Sequence, residues 1–185
     1  MAAGMALEIE RKFLVVGDEW RAYVSSHRRL RQGYLSRTAN GSVRVRRSAG
    51  SATLTVKGPR RGITREEFEY EIPVEEADIL LRTLCAKPLI EKVRYCVEFA
   101  GMIWEIDVYC GEAAGLVVAE IELDHPSQPF AVPSWIGAEV THDARFSNAA
   151  IAARPAQPAD GDPAPPRRPG RDRCAPPAPG VTAGP

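Results

Sequence analysis

No apolar run in the chain reaches the roughly 18 residues of a membrane-spanning helix. There is no net charge either, with 24 Lys and Arg against 24 Asp and Glu. Bulk electrostatic attraction to nucleic acid or to an anionic membrane is therefore excluded as an organising force, although local fields can still be strong. Cysteine is scarce. Cys85, Cys96, Cys110 and Cys174 form no CxxC and no metal-ligand spacing, which excludes a zinc ribbon and predicts reduced, mostly buried thiols in a cytoplasmic protein. The three histidines, His27, His125 and His142, are expected in loops or helix flanks as surface residues, and the chemistry read below needs no Ser–His–Asp or Cys–His relay. The leading Met1-Ala2-Ala3-Gly4-Met5 is too short for a signal peptide; whether Met1 or Met5 is the natural start stays open. Internal repeats are absent.

A length of 185 residues predicts one domain. Composition changes abruptly near Arg154. Pro155 to Pro185 holds Pro, Ala, Gly, Arg and Asp with almost no large apolar residue, too little to offset the entropy of ordering. The expected organisation is a folded domain over 5–154 followed by a disordered tail over 155–185.

The folded part is rich in strand patterns, predicted at Ala6–Val16, Gln32–Ser36, Ser42–Ser48, Ala52–Lys57, Thr64–Pro73, Glu91–Ala100, Met102–Cys110 and Val117–Asp124. Asn40-Gly41, Gly58-Pro59 and Ala100-Gly101 are turn signals between them. Helices are expected at Glu19–His27, at Val74–Leu84 with an apolar face of Ile79, Leu80 and Leu84, near Pro133–Ile136, and at Ala144–Ala153.

Side chains two apart on a strand share a face. Glu8, Glu10 and Lys12 then oppose Leu7, Ile9 and Phe13. Arg44 and Arg46 oppose Val43 and Val45, and Lys57 follows Thr53 and Thr55. Arg65, Glu67, Glu69 and Glu71 oppose Phe68, Tyr70 and Ile72. Lys92 and Arg94, Glu105 and Asp107, and Glu120, Glu122 and Asp124 repeat the pattern. One wet face of an antiparallel sheet produces such alternation too. Here, however, most strands repeat one sign of charge. Like charges about 7 Å apart repel by about 2 kcal/mol at an effective dielectric of about 20, which is tolerated best when ions of opposite sign bind between them. Carboxylates alone would indicate a metal site and basic residues alone a polyanion groove; the two together indicate a metal-bound polyanion such as Mg²⁺ with a chain of phosphates. About eight antiparallel strands with one charged face can close into a barrel with a charged lumen. The outward apolar faces then need cover, which Leu80, Leu84, Trp20, Trp135 and the Ala144–Ala153 segment could supply.

An ordered series of motifs resembles the CYTH superfamily, the triphosphate tunnel metalloenzymes, and in particular its short bacterial members that hydrolyse inorganic tripolyphosphate. Glu8-Ile9-Glu10-Arg11-Lys12 fits the E-x-E-x-K hallmark. Leu30-Arg31-Gln32-Gly33-Tyr34-Leu35, Arg44-Val45-Arg46, Leu54-Thr55-Val56-Lys57-Gly58, Glu67-Phe68-Glu69, Glu91-Lys92-Val93-Arg94-Tyr95, Glu105-Ile106-Asp107 and Glu120-Ile121-Glu122 follow in order. The resemblance runs from about Leu7 to Ala153. It implies an α+β, mainly β fold, an eight-stranded antiparallel tunnel barrel with a charged lumen and helices packed outside. It further implies that Glu8, Glu10, Glu120 and Glu122, with Asp107, bind Mg²⁺ or Mn²⁺. Lys12, Arg44, Arg46, Lys57, Lys92 and Arg94 would hold the triphosphate. Glu67, Glu69 and Glu105 would complete the acidic lining, with Glu10 or Glu69 able to activate water. Tyr34 and Lys57 resemble a Tyr–Lys pair that bears on activity. The C-terminal Phe146-Ser147-Asn148-Ala149-Ala150 lacks lysines that some relatives carry there.

The expected function is divalent-metal-dependent hydrolysis of tripolyphosphate to pyrophosphate and phosphate by a monomer or homodimer. Adenylate cyclase, thiamine triphosphatase and nucleoside triphosphatase activities on the same tunnel remain alternatives, as does a non-catalytic polyphosphate or nucleotide binder. A binder needs the basic residues but not the four paired carboxylates. The absence of an evident base-recognition pocket favours a substrate without a nucleoside.

Overall fold

In the computed structural model, residues 7–152 are described; the proposed 155–185 tail and the Met1–Met5 start lie outside them. Among the described residues there are nine strands: β1 (Leu7–Val15), β2 (Val24–Thr38), β3 (Gly41–Arg47), β4 (Ala52–Lys57), β5 (Thr64–Ile72), β6 (Ile90–Phe99), β7 (Met102–Tyr109), β8 (Val117–Glu122) and β9 (Ile136–Glu139). They are joined by helices α1 (Val74–Thr83) and α2 (Asn148–Ile151) and by short 3₁₀ turns. The order β5-β4-β3-β2-β6-β7-β8-β1 closes on itself through β1–β5, so eight strands form a hydrogen-bonded ring, with β9 appended to β1. Every pairing is antiparallel. Closure is uneven. On one edge, β1 gives Glu10–Leu14 to β8; on the other it gives only Leu7–Ile9 to β5 before β9 takes over. The result is a tunnel rather than an even barrel.

The alternation predicted from sequence sorts as expected. Ile9, Phe13, Val93, Tyr95, Val97, Trp104, Ile106, Ala119 and Ile121 form the main apolar core on the outer face of β1, β6, β7 and β8. Two of the expected covering residues are in place, though not on α-helices. Trp20, from a 3₁₀ turn, and Trp135, from an irregular segment, seal this face. Helix α1 covers the other side, packing Ala77 and Leu81 against Val45 and Ala52. The exposed residues of α1 include Ile79, and Leu84 beyond its last turn is also exposed. Its buried stripe is centred on the i, i+4 pair Ala77 and Leu81, with Leu80 packed at its edge as expected and Ile79 and Leu84 turned to solvent. Glu75 and Glu76 in the first turn and Arg82 in the last complement the helix dipole.

Three predicted helices are corrected. Glu19–His27 is a 3₁₀ turn over Glu19–Tyr23, after which β2 begins at Val24 and runs 15 residues. The strand predicted only over Gln32–Ser36 is thus far longer, because β2 pairs with β6 along Val24–Gln32; the unbroken polar run over 25–29 hid its period in the sequence. Pro133–Ile136 is a turn into β9 rather than a helix. The Ala144–Ala153 helix breaks at Ser147, whose hydroxyl accepts from the Ala150 amide and starts the short α2. That helix does not cover an outer face. Ile151 and Ala152 cluster with Tyr34, Ile90, Tyr109 and Val118 and close one end of the lumen. Cys85 and Cys96 are free thiols as predicted, whereas Cys110 is disulfide-bonded. Among the described residues no helix is long and apolar enough to cross a membrane.

Candidate active site

Alternate residues of all eight ring strands turn charge into the lumen, where β-pairing sets them in rungs. Glu10 faces Glu122 and Lys12 faces Glu120 across β1 and β8. Tyr34, Arg44, Thr55 and Glu69 stand side by side across β2, β3, β4 and β5, and Gln32, Arg46 and Thr53 make the neighbouring row. Gly41 makes the β2–β3 turn possible: its φ is 145°, and a Cβ there would lie 2.2 Å from the Lys57 carbonyl oxygen.

A cavity of about 370 Å³ follows, lined by seven carboxylates (Glu8, Glu10, Glu67, Glu69, Glu105, Glu120 and Glu122) and six basic side chains (Arg28, Arg44, Arg46, Lys57, Arg65 and Arg94). With the signs so nearly balanced, the cavity is not by itself a sink for a polyanion; added cations would make it one. A second cavity of about 450 Å³ shares Glu10, Arg44, Lys57, Arg65 and Asn148 with the first and is bounded by Lys12, Tyr34 and residues 140–149.

The ion pairs fall into two groups. Around β1, β4 and β5, Lys57 Nζ lies 2.7 Å from Glu8 and 2.5 Å from Glu67. Arg65 bonds Glu8 and Glu10, and Arg60, from the β4–β5 hairpin, also bonds Glu10. Arg44 donates to Thr55 at 3.2 Å, and Thr55 donates to Glu69 at 2.9 Å. Around β6, β7 and β8, Arg94 grips Asp107 through Nε at 2.8 Å and Nη2 at 2.7 Å, and reaches Glu120 at 2.6 Å and Glu105 as well. Lys92 bonds Asp107 and lies 5.5 Å from the centre of the Tyr109 ring. Lys12 Nζ is 2.7 Å from Glu120.

Burial opposes the charge of Glu120, but Lys12 and Arg94 outweigh it and hold the carboxyl well below its usual range. Asp107 is lowered in the same way by Arg94 and Lys92 against burial. Complete burial pushes Lys92 down to about 7. Lys57 is lowered by burial and by Arg44. Burial raises the Tyr34 phenol, so it stays a neutral hydroxyl. Glu122 goes the other way: partial burial and then Glu8, Glu105, Glu67 and Glu10 raise it. Four carboxylates thus surround Glu122 closely enough to be felt.

Most of the site residues expected from sequence line these cavities. Lys92 and Asp107 do not. Both are fully buried behind the lining, and both Asp107 oxygens are taken by Arg94, one of them also by Lys92. Sequence reasoning missed Arg28, Arg60 and Arg65 as site residues. Arg65 alternates with Glu67 and Glu69 and was legible. Arg28 fell between the helix expected over Glu19–His27 and the strand expected from Gln32, and Arg60 sits in a hairpin where no periodicity operates.

Residues 6–154 match the model of the CYTH domain. The chain belongs to the CYTH family. It is 48% identical over 151 residues to an inorganic triphosphatase of Acetivibrio thermocellus, covering 82% of this chain and 96% of that one. A second inorganic triphosphatase, from Nitrosomonas europaea, is 34% identical over 152 residues, covering 78% and 96%. Among solved structures, a crystal structure of an inorganic triphosphatase aligns with TM-score 0.58 and 32% identity over 80% of this chain and 95% of the other. A Pyrococcus horikoshii protein shares the fold at 20% identity and TM-score 0.51, covering 64% and 80%.

The CYTH tunnel offers carboxylate oxygens, hard donors of the kind Mg²⁺ and Mn²⁺ prefer. Among the described residues no three such side chains converge at metal-binding spacing, because basic side chains hold Glu8, Glu10 and Glu120. The donor chemistry fits a divalent ion; seating one requires those arginines and lysines to turn to other acceptors.

Proposed function

We propose that the protein hydrolyses inorganic tripolyphosphate to pyrophosphate and phosphate with Mg²⁺ or Mn²⁺. The observation that carries this reading is the interleaving of carboxylates and cations in one enclosed tunnel. Phosphate oxygens would be the acceptors for Arg44, Arg65, Arg94 and Lys57 once the carboxylates held a divalent ion. Both curated relatives described above bear the name inorganic triphosphatase, which supports the same substrate.

Glu8, Glu10, Glu120 and Glu122 would hold the ion, which would shield phosphate charge and stabilise the leaving pyrophosphate. Asp107 takes another role: engaged on both oxygens, it orients the Arg94 fork towards the lumen. Lys92 braces Asp107 from behind rather than touching substrate. Arg44, Arg46 and Arg94 neutralise non-bridging oxygens, Arg94 with a fork already set by Asp107. Lys12 and Lys57 add point charges. Glu69, about two-fifths exposed and lining the first cavity, would accept a proton from the attacking water, with Glu10 as the alternative base. Glu67 and Glu105 anchor Lys57 and Arg94. Tyr34 keeps its proton and can donate to a phosphate oxygen.

The test is phosphate release from tripolyphosphate, ATP and thiamine triphosphate, with Mg²⁺, with Mn²⁺ and with chelator. Tripolyphosphate should turn over fastest, and chelation should abolish turnover. Cyclic AMP and pyrophosphate as the main products from ATP would instead establish a cyclase, and binding without turnover of any of the three would establish a binder.

A further inference from the structure

Two adjacent rows of side chains on β2, β3 and β4 lie on the inner side of the ring and differ in how far their polar groups are bonded, although Nε of Arg44, like that of Arg46, is buried without a partner. In the Tyr34–Arg44–Thr55 row, Arg44 donates to Thr55, and Thr55 passes the bond to Glu69. In the Gln32–Arg46–Thr53 row, set in register by the same pairings, the polar atoms are left open. Gln32 is fully buried, yet neither its amide nitrogen nor its carbonyl oxygen has a partner. Thr53 Oγ1 and Arg46 Nε are buried and open as well. Arg46 lines the 370 Å³ cavity, as does Arg28 on the same face of β2 as Gln32. Among the described residues Arg46 has no carboxylate within ion-pair distance, unlike Arg44 and Arg94.

A buried carboxamide without partners costs stability, so a ligand is the natural recipient of its bonds. Its nitrogen offers two N–H donors and its oxygen one acceptor, while Thr53 can act either way and Arg46 Nε only donates. Three donors beside a cation suit phosphate oxygens. The Gln32 carbonyl needs a hydrogen to accept. A terminal phosphate carries a P–OH near neutral pH, and an interior phosphate of the chain does not. We propose that Gln32 and Thr53, flanking Arg46, clamp the terminal phosphate of the polyphosphate substrate in its monohydrogen form. The clamp rests on the triphosphatase reading and adds the residues that select the chain end.

The test uses Gln32→Met and Thr53→Val in the full chain. The methionine keeps volume and removes every hydrogen bond. Without substrate, Gln32→Met should melt at or above the wild-type temperature, since an unpartnered buried amide is lost. Its KM for tripolyphosphate should rise about 3- to 10-fold, the worth of one lost hydrogen bond, with Thr53→Val showing a smaller rise. The variant-to-wild-type KM ratio should shrink as pH rises through the last ionisation of the terminal phosphate, read at one fixed metal concentration because bound metal lowers that ionisation equally for both proteins. A lowered melting temperature with unchanged KM would make Gln32 a structural residue and overturn the clamp. A ratio independent of pH would overturn the P–OH contact. Unchanged KM with weakened inhibition by inorganic phosphate would overturn the assignment to substrate in favour of released phosphate. If wild-type protein fails to hydrolyse tripolyphosphate, the parent reading fails, which is distinct from wild-type turnover matched by both variants.

Discussion

Glu10 and Glu122 stand directly opposite each other across β1 and β8, one rung from the oppositely charged pair Lys12 and Glu120. Directly opposed like charges destabilise a sheet, and opposed unlike charges support it. Two rungs of one ladder therefore pull in opposite directions, and both line the lumen.

Glu122→Gln should stabilise the metal-free protein while impairing turnover. The folded carboxyl titrates above its ordinary value, so stability falls as pH rises from that value through the raised one and stays lower above it. Removing the charge should lift the melting temperature by about 1–2 °C at pH 8 in chelator, the effect of about half a kcal/mol in a domain of this size. Scanning calorimetry at pH 4 and pH 8 checks it: the gain should be confined to the higher pH.

Carboxylates and arginines should separate kinetically. Glu10→Ala should chiefly lower kcat, since charge stabilisation by the metal grows as the leaving group departs. Arg44→Ala should chiefly raise KM, because its attraction to the polyanion already exists in the ground state. Loss of one charge-assisted bond costs about 1.5–3 kcal/mol, about 10- to 150-fold. Arg44→Lys should recover only part, since the planar fork is lost. Steady-state kinetics at saturating metal decide this; near wild-type kcat in folded Glu10→Ala would defeat the proposed metal role.

Acid unfolding should report Glu120. Its folded carboxyl lies well below the ordinary value. Its contribution is therefore complete above the unfolded value and is lost as pH falls from there through the folded one. Glu120→Gln should cost about 3–5 kcal/mol at pH 7, because Lys12 and Arg94 are left buried and short of a partner. Its urea midpoint should also decline less steeply than that of wild type between pH 5 and pH 2. Parallel acid limbs would show that Glu120 titrates normally.

Leu81→Ala should do the reverse of the lumen variants. Leu81 is fully buried between α1 and the outer face of the sheet, so truncation should cost about 2–5 kcal/mol. It touches no lumen residue, and KM for tripolyphosphate below the new melting temperature should stay within about twofold of wild type. Thermal unfolding and kinetics on the same preparation check both halves.

The strands of the ring, the sorting of charge inward and apolar groups outward, and nearly every lumen residue were legible in the sequence. Alternation is a local property: a strand turns Glu8, Glu10 and Lys12 to one side whatever it later pairs with. The 15-residue β2 was only partly legible, since residues 25–29 are all polar and its length is fixed by the distant partner β6. The tertiary structure alone decided which rungs face each other. Register made Glu10 meet Glu122 and left the Gln32 row open, and a register slip of a single residue would have turned every charge outward. It also decided that Asp107 braces Arg94 from behind rather than lining the cavity, that Arg60 reaches Glu10 from a hairpin, and that α2 closes an end of the lumen instead of covering its outside. Each of these joins residues far apart in the chain, and no local pattern encodes such contacts; packing of the closed ring does.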